Sequence, residues 1–154
     1  MTGSSRPRLR GRVLLLTLVL GLAAVVASSA LAAGRPAVTF VKPKPGWMGG
    51  STAIFTVKLT NFTLDPQDVG KRNKPNKGHL HFQMDGGKYD YPKYSGANGK
   101  LAVKLGIAGK YSPAVTPSIT YKHLPAGKHT LVVFLANNDH SPVGASASVR
   151  FTVK

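Results

Sequence analysis

The stretch that decides the fold reads LPAGKHTLVVFLANNDHSPVGASASVRFTV, residues 124–153. Residues 130–136 form an apolar run rich in β-branched side chains, which is typical of a strand buried on both faces. A polar loop follows at residues 137–142. The remaining residues alternate, so a closing strand would carry these apolar side chains on one face: Ala145, Ala147, Val149, Phe151 and Val153. Together these features predict the C-terminal hairpin of an immunoglobulin-like β-sandwich.

Short alternating segments separated by turns continue upstream of this hairpin. They predict strands at residues 37–42, 51–59, 79–85 and 118–123, with a weaker candidate at residues 101–107. No helical periodicity is found. The predicted fold class is therefore all-β, an immunoglobulin-like antiparallel β-sandwich of about seven strands.

Two further expectations concern side chains of this sandwich. The central core is expected to hold Leu80, Phe82, Val132 and Phe134. A tyrosine-rich segment is interpreted as a short edge strand and loop whose rings offer flat contacts for a sugar: Tyr89, Tyr91 and Tyr94.

The N-terminus has the organisation of a secretion signal. Four arginines precede the apolar residues 13–26, and Ala30-Leu31-Ala32 supplies the small-residue cleavage pattern. Cleavage after Ala32 would divide the chain into a signal peptide, residues 1–32, and one sandwich domain, residues 33–154. The alternative is an uncleaved anchor, because residues 13–33 are long enough to span a bilayer. We expect an exported protein that is secreted or resides in the periplasm or cell envelope.

The charge balance is strongly basic, with 21 Lys and Arg against five acidic residues and a formal net charge of +16. Loss of the leader with its four arginines would leave +12. Such a surface concentrates an exported monomer on anionic cell-wall polymers or membrane headgroups. The candidate anion-binding residues are Lys71, Arg72, Lys74 and Lys77. The simpler alternative is that the lysines only keep the domain soluble, and nucleic acid is not an expected partner.

Several function classes are excluded by what the sequence lacks. Cysteine is absent, which excludes disulfides, thiolate metal sites and a lipoprotein anchor. The chain has no Gly-x-Ser-x-Gly elbow, no paired catalytic carboxylates and no phosphate-binding loop. A bimetal site of the Cu/Zn dismutase kind needs more than the five histidines present. We therefore predict a binding protein and not an enzyme.

His79 and His81 are the sharpest chemical feature of the sequence. A strand repeats every two residues, so both imidazoles leave the same face with Cα atoms roughly 6.5 Å apart. Leu80 and Phe82 leave the opposite face. Two imidazoles placed in this way can share one metal ion. The alternative is an exposed strand face that carries polar residues without a function.

The topology of the predicted sandwich strengthens the metal interpretation. The strands at residues 79–85 and 130–137 are antiparallel neighbours in this fold, so the start of one lies beside the end of the other. The long polar connection at residues 60–78 would lie over this end. The predicted metal ligands that meet there are His79, His81, Asp139 and His140. Metal affinity is expected to fall as the pH drops through ~6.5, where imidazole takes up a proton.

The two remaining histidines are interpreted differently. His129 lies near the start of a strand where sandwiches often carry a tyrosine that hydrogen-bonds the preceding corner, so we predict a structural role. His123 precedes the Leu124-Pro125 turn at the opposite end of the sandwich, and no function is assigned to it.

Residues 124–131, the loop Asn138-Asp139-His140-Ser141-Pro142 and residues 149–153 together resemble the hairpin of the periplasmic copper-resistance protein C family. That resemblance implies a small secreted copper binder in which Asp139 and His140 ligate Cu(II). The family adds an N-terminal histidine, whereas this chain would begin near Ala33 after cleavage, so His79 and His81 would take its place. Taken whole, the chain more closely resembles exported bacterial sandwich domains without an assigned activity.

The function predicted from the sequence is extracytoplasmic binding of a divalent metal ion without catalysis. Cu(II) is the first candidate, because imidazole and carboxylate ligands together suit that ion, and Zn(II) is the second. The alternative function is a basic cell-envelope binding or structural module that contacts anionic polymers or lipid headgroups.

Overall fold

The computed structural model describes Met1, residues 34–87 and residues 96–154, with side chains in the last segment described from residue 100 onward. The predicted leader beyond Met1 and the tyrosine-rich segment at residues 89–94 lie outside the described residues, so both interpretations stay predictions. The fold belongs to the compact unit Ala32–Lys154. Within the described part of the chain, no helix combines the length and apolar character needed to cross a membrane.

Two β-sheets form the core of the described part of the chain. The three-stranded sheet has the order β1-β3-β6 and is antiparallel throughout; its strands are β1 (Ala37–Lys42), β3 (Ala53–Thr60) and β6 (Ser118–Tyr121). The five-stranded sheet has the order β2-β8-β7-β5-β4; its strands are β2 (Met48–Gly49), β8 (Pro142–Val153), β7 (Gly127–Asn137), β5 (Lys77–Met84) and β4 (Thr63–Leu64). The long strands β5, β7 and β8 pair antiparallel, while the two-residue strands β2 and β4 add parallel edges. The predicted all-β sandwich is confirmed.

Alternation along the strands places the core between the two sheets. Phe55 lies at its centre on β3, fully buried, with its ring 5.0 Å from that of Phe151 and 5.7 Å from that of Tyr121. The facing strand β5 contributes Leu80 and Phe82, as predicted. The C-terminal strand β8 buries its last three alternate residues, Val149, Phe151 and Val153.

The expected core position of Val132 and Phe134 on β7 is wrong. The core-facing apolar side chains in the middle of this strand are Leu131, Val133 and Leu135, whereas Val132 and Phe134 are only half-buried on the outer face. A continuous apolar run has no periodicity that selects one face over the other. The pairing register with β5 decides which face of β7 is buried, because Phe82 lies opposite Val133 and His81 lies opposite Phe134.

The weak strand candidate at residues 101–107 is also wrong. The structure has a helix here, α1 (Gly96–Lys104), followed by a turn. Ala102 and Leu105 are buried at helical spacing, while Val103 is 69% exposed. A short apolar segment of this length fits both periods, so its pattern could not distinguish a strand from a helix.

The long connection at residues 60–78 is ordered against the loop that follows β7. Its strand β4 pairs with the start of β5, with Thr63 opposite Lys77. The backbone N–H of Gly70 donates to the carbonyl of Asn138 over 2.7 Å, and the N–H of Asp139 donates to Oδ1 of Asn73 over 2.9 Å. The connection therefore covers the end of the sheet where the predicted ligands lie.

Candidate metal centre

Strand β5 places two imidazoles on the outer face of the five-stranded sheet. Because successive residues of a strand point to opposite faces, His79 and His81 leave the same face, and their Nε2 atoms lie 2.9 Å apart. His79 is fully buried and His81 is half-buried. The pair is not an exposed polar strand face, which was the alternative interpretation.

The loop after β7 brings in the third imidazole. Register places His79 opposite Ala136, one residue before β7 ends, so the loop begins beside the pair. His140 has a left-handed backbone, with φ 68°, a conformation that histidine adopts more readily than most residues. Its N–H donates to the carbonyl of Asn137 over 3.0 Å, and the N–H of Asn137 donates to the carbonyl of Ser141 over 2.8 Å. The turn thus fixes the backbone that carries His140.

The three imidazoles, here called the histidine cluster (His79, His81 and His140), converge on one point. Nε2 of His79 is 3.0 Å from Nδ1 of His140, and that Nδ1 atom is 3.5 Å from Nε2 of His81. The ring centroids lie 4.4–5.6 Å apart. Among the described residues, this is a group of potential ligand atoms that can hold a metal ion.

Three mutually close ring nitrogens are unfavourable without a cation. A neutral imidazole nitrogen carries either a proton or a lone pair, so at least one of the three contacts brings two lone pairs or two protons together. A metal ion removes this conflict, because it accepts all three lone pairs at once. The three nitrogens could therefore serve together as a ligand set for one metal ion.

Burial keeps two members of the cluster in the neutral form that a metal requires. It lowers the pKa of His79 to about 4, and the neighbouring His81 and His140 add to this effect. Burial, followed by repulsion from His140, lowers the pKa of His81 to about 4 as well. Protonation of His79 and His81 therefore requires a more acidic solution than the pH of ~6.5 at which a free imidazole takes up a proton.

Two neighbours hold His81 in position. Oγ of Ser112 lies 3.0 Å from Nδ1 of His81, and the ring of Phe134 lies 4.9 Å away at a 32° tilt. When Nε2 of His81 offers its lone pair to a metal, Nδ1 carries the proton and donates it to the serine hydroxyl. Ligand imidazoles are commonly oriented by such a hydrogen bond. In contrast, Nδ1 of His79 is buried without a hydrogen-bond partner.

Asp139 lies in the same loop but is not part of the histidine cluster. Its Oδ1 accepts hydrogen bonds from the hydroxyl of Ser141 over 2.6 Å and from the N–H of Ser141 over 2.9 Å. These bonds lower the pKa of Asp139, with the hydroxyl contributing most. Asp139 therefore shapes the loop that presents His140, and its place as a direct metal ligand stays a prediction.

The predicted anion-binding residues lie in the connection that covers the cluster, and all four are exposed. Lys74 contacts the carboxylate of Asp68, and Nζ of Lys71 lies 3.3 Å from the same group. Within the described part of the chain, Arg72 and Lys77 have no ion pair. Two of the four cations are therefore engaged by the protein itself.

The structural role predicted for His129 is confirmed. Its Nε2–H donates to the carbonyl of Pro125 over 2.8 Å, which ties the strand to the preceding corner. Nδ1 lies 2.7 Å from Oδ2 of Asp85, whose other oxygen accepts the N–H of Thr130. His123 is exposed in the turn before β7, at the far end from the histidine cluster.

Sequence reasoning missed four residues that build the site: Ser112, Phe134 as a neighbour of His81, Asn73 and Gly78. Gly78 lies against the backbone of Ala136 so closely that a Cβ atom there would overlap the carbonyl oxygen. A glycine immediately before the His79-x-His81 pair was a usable signal, since glycine in a strand often marks a close backbone approach. Ser112 had no such signal, because a loop bridge between Leu80 and Ala114 brings it to the sheet.

No protein-family model matches the chain, and no curated protein matches it. Among solved structures, it is similar to one described as the fibronectin(III)-like modules of Clostridium thermocellum CbhA, with 17% identity and a TM-score of 0.43. The match covers 78% of this chain and 47% of that chain, so it spans about half of that structure's length. The resemblance of the C-terminal hairpin to the copper-resistance protein C family finds no support in these comparisons.

Proposed function

We propose that this chain is an exported, non-enzymatic domain that binds a divalent metal ion, Zn(II) or Cu(II), through the histidine cluster. The observation that carries the proposal is the convergence of three ring nitrogens within 2.9–3.5 Å of one another. Imidazole suits both ions. The organisation of the N-terminus supports export, which would place this function outside the cytoplasmic membrane.

A second candidate function is contact with anionic polymers or lipid headgroups of the cell envelope. It is supported by the net charge of +16 and by the exposed Arg72 and Lys77, which have no ion pair among the described residues. The two functions are compatible, because this basic connection borders the histidine cluster.

Calorimetric titration of the metal-free protein with Zn(II) and Cu(II) tests the metal proposal. We expect one equivalent to bind, and we expect His140→Gly to weaken binding by at least about tenfold, since even residues that only support ligands contribute that much. Glycine is the chosen replacement because it accepts the positive φ of this position without strain.

His123→Gly is the matched control for this variant. His123 is also an exposed histidine with a positive φ, 53°, so both substitutions make the same chemical change in the same backbone conformation. Only His140 belongs to the cluster. Equal affinities for the two variants, or no binding by the unmodified protein at micromolar metal, would contradict the proposal.

A further inference from the structure

We propose that a metal ion in the histidine cluster keeps an open coordination position and that this position binds an oxyanion from outside the chain, a carboxylate or a phosphate group. This inference rests on the proposed metal-binding function and adds the class of ligand that the bound metal recognises. Three observations carry it: the geometry of the ring nitrogens, the absence of a fourth ligand from this group among the described residues, and the charge around the cluster.

The spacing of the nitrogens places all three ligands on one side of the metal. For metal–nitrogen bonds of about 2.0–2.1 Å, ligands at a right angle lie about 2.9 Å apart, tetrahedral ligands about 3.3–3.4 Å and opposite ligands about 4.1 Å. The observed separations are 2.9, 3.0 and 3.5 Å. No pair is far enough apart to lie on opposite sides of the ion, so the three nitrogens form a cap and the remaining side is free.

Within the described part of the chain, no fourth ligand atom belongs to the group that could hold a metal ion. The cluster contains three histidines and no carboxylate, and cysteine is absent from the sequence. Asp139, the acidic residue in the same loop, has its Oδ1 engaged by Ser141. Since His140 is exposed, a ligand from solvent can reach the metal. Three protein ligands and one free position are the arrangement that zinc sites use when they bind an exchangeable ligand.

Charge selects an anion for this position. Three neutral imidazoles leave the full double charge of the metal uncompensated, and a bound cation of this kind dominates the local field. The bordering connection adds four basic residues against Asp65 and Asp68. Arg72 adjoins Asn73, whose Oδ1 binds the N–H of Asp139 in the cluster loop. An oxyanion would therefore gain a bond to the metal and attraction from this basic border.

Substitution with Co(II) makes the open position visible, because the intensity and energy of cobalt absorption bands report the ligands bound. The cobalt-loaded protein is titrated with sodium acetate and, separately, with methyl phosphate, at constant ionic strength maintained with perchlorate. We expect a saturable change of the bands with at least one anion. A response to acetate alone identifies a carboxylate ligand, and a response to methyl phosphate alone identifies a phosphate ligand.

The possible failures are distinguishable. If cobalt or zinc binds at the cluster but the bands respond to neither anion, the open position is wrong while the metal site stands. If none of cobalt, zinc and copper binds, the proposed function itself is wrong. If the bands respond equally to perchlorate alone, the effect is one of ionic strength, and the inference is overturned.

Arg72→Gln tests the contribution of the basic border. We expect anion affinity to fall about two- to fivefold, as for an exposed charge pair, with metal affinity unchanged. Lys128→Gln is the control, since Lys128 is an exposed cation near the start of β7, roughly 26 Å along the strand from Ala136. Equal losses in the two variants would show that only the net charge matters and would overturn the role given to Arg72.

Discussion

His79 is the residue whose environment argues most strongly for a function. It is fully buried, its Nδ1 atom has no hydrogen-bond partner, and its pKa is lowered to about 4. A buried polar atom without a partner costs about 1–3 kcal/mol, so leucine or valine would fill a purely structural position with less penalty. Coordination through Nε2 gives a physical reason for histidine at this position.

Protonation of His79 and His81 should make the free energy of unfolding decrease as the pH falls. An unfolded histidine has a pKa near 6.5, whereas His79 and His81 have pKa values of about 4 in the fold. Between these values the unfolded chain binds more protons, so the free energy of unfolding falls as pH drops. For the metal-free protein, we expect full stability above pH ~6.5 and a progressive loss down to pH ~4.

Urea unfolding of the metal-free protein at pH 7 and pH 5 measures this effect. The double variant with His79→Gln and His81→Asn serves as the comparison, because it lacks both buried imidazoles and should lose much of the pH dependence. Identical pH dependence in the two proteins would show that these residues do not titrate as described.

At the scale of the strand, the buried face can be predicted from the sequence where polar and apolar residues alternate. From His79 onward, strand β5 reads His-Leu-His-Phe-Gln-Met, and the structure buries Leu80 and Phe82 as predicted, together with Met84. Strand β7 is apolar at every position from Leu131 to Ala136, so its core face depended on pairing with β5 and could not be read from its own sequence. The apolar pattern at residues 101–107 likewise did not distinguish a strand from the helix α1.

Two phenylalanines on different strands test the core assignment. Phe55→Ala should cost about 3–5 kcal/mol of unfolding free energy, because its ring is fully buried among three aromatic neighbours. Phe134→Ala should cost less than half as much, since that ring is half-buried on the outer face, but it should weaken metal binding by removing the neighbour of His81. Thermal unfolding and metal titration of both variants check this, and the reverse order of stabilities would contradict the assignment of β7.

At the scale of the whole molecule, topology made the candidate site predictable in part. The pairing of neighbouring strands in the sandwich brings the start of β5 beside the end of β7, and the three histidines meet there as the strand order implied. The direction of a loop carboxylate could not be predicted in this way, because Asp139 is oriented by local hydrogen bonds to Ser141. The ion pairs of Lys71 and Lys74 with Asp68 also depend on the local path of the loop, so the sequence did not predict them.

The basic surface makes a prediction about salt. Binding to anionic vesicles or wall polymer should weaken as ionic strength rises to physiological values, where charges are screened beyond ~8 Å. Replacing Arg72 and Lys77 with glutamine should weaken binding more than replacing Lys71 and Lys74, although both changes remove two charges. The second pair is already engaged by Asp68. If the amount of protein that sediments with the vesicles or polymer does not change with salt concentration, the basic residues serve only to keep the protein soluble.

The histidine cluster as a metal site is the central claim, and anomalous diffraction at the zinc edge from crystals of the zinc-loaded protein tests it most directly. We expect an anomalous difference peak about 2.0–2.1 Å from Nε2 of His79, Nε2 of His81 and Nδ1 of His140, with a fourth ligand that does not come from the chain. The absence of a peak at the histidine cluster in crystals grown with excess zinc would contradict it.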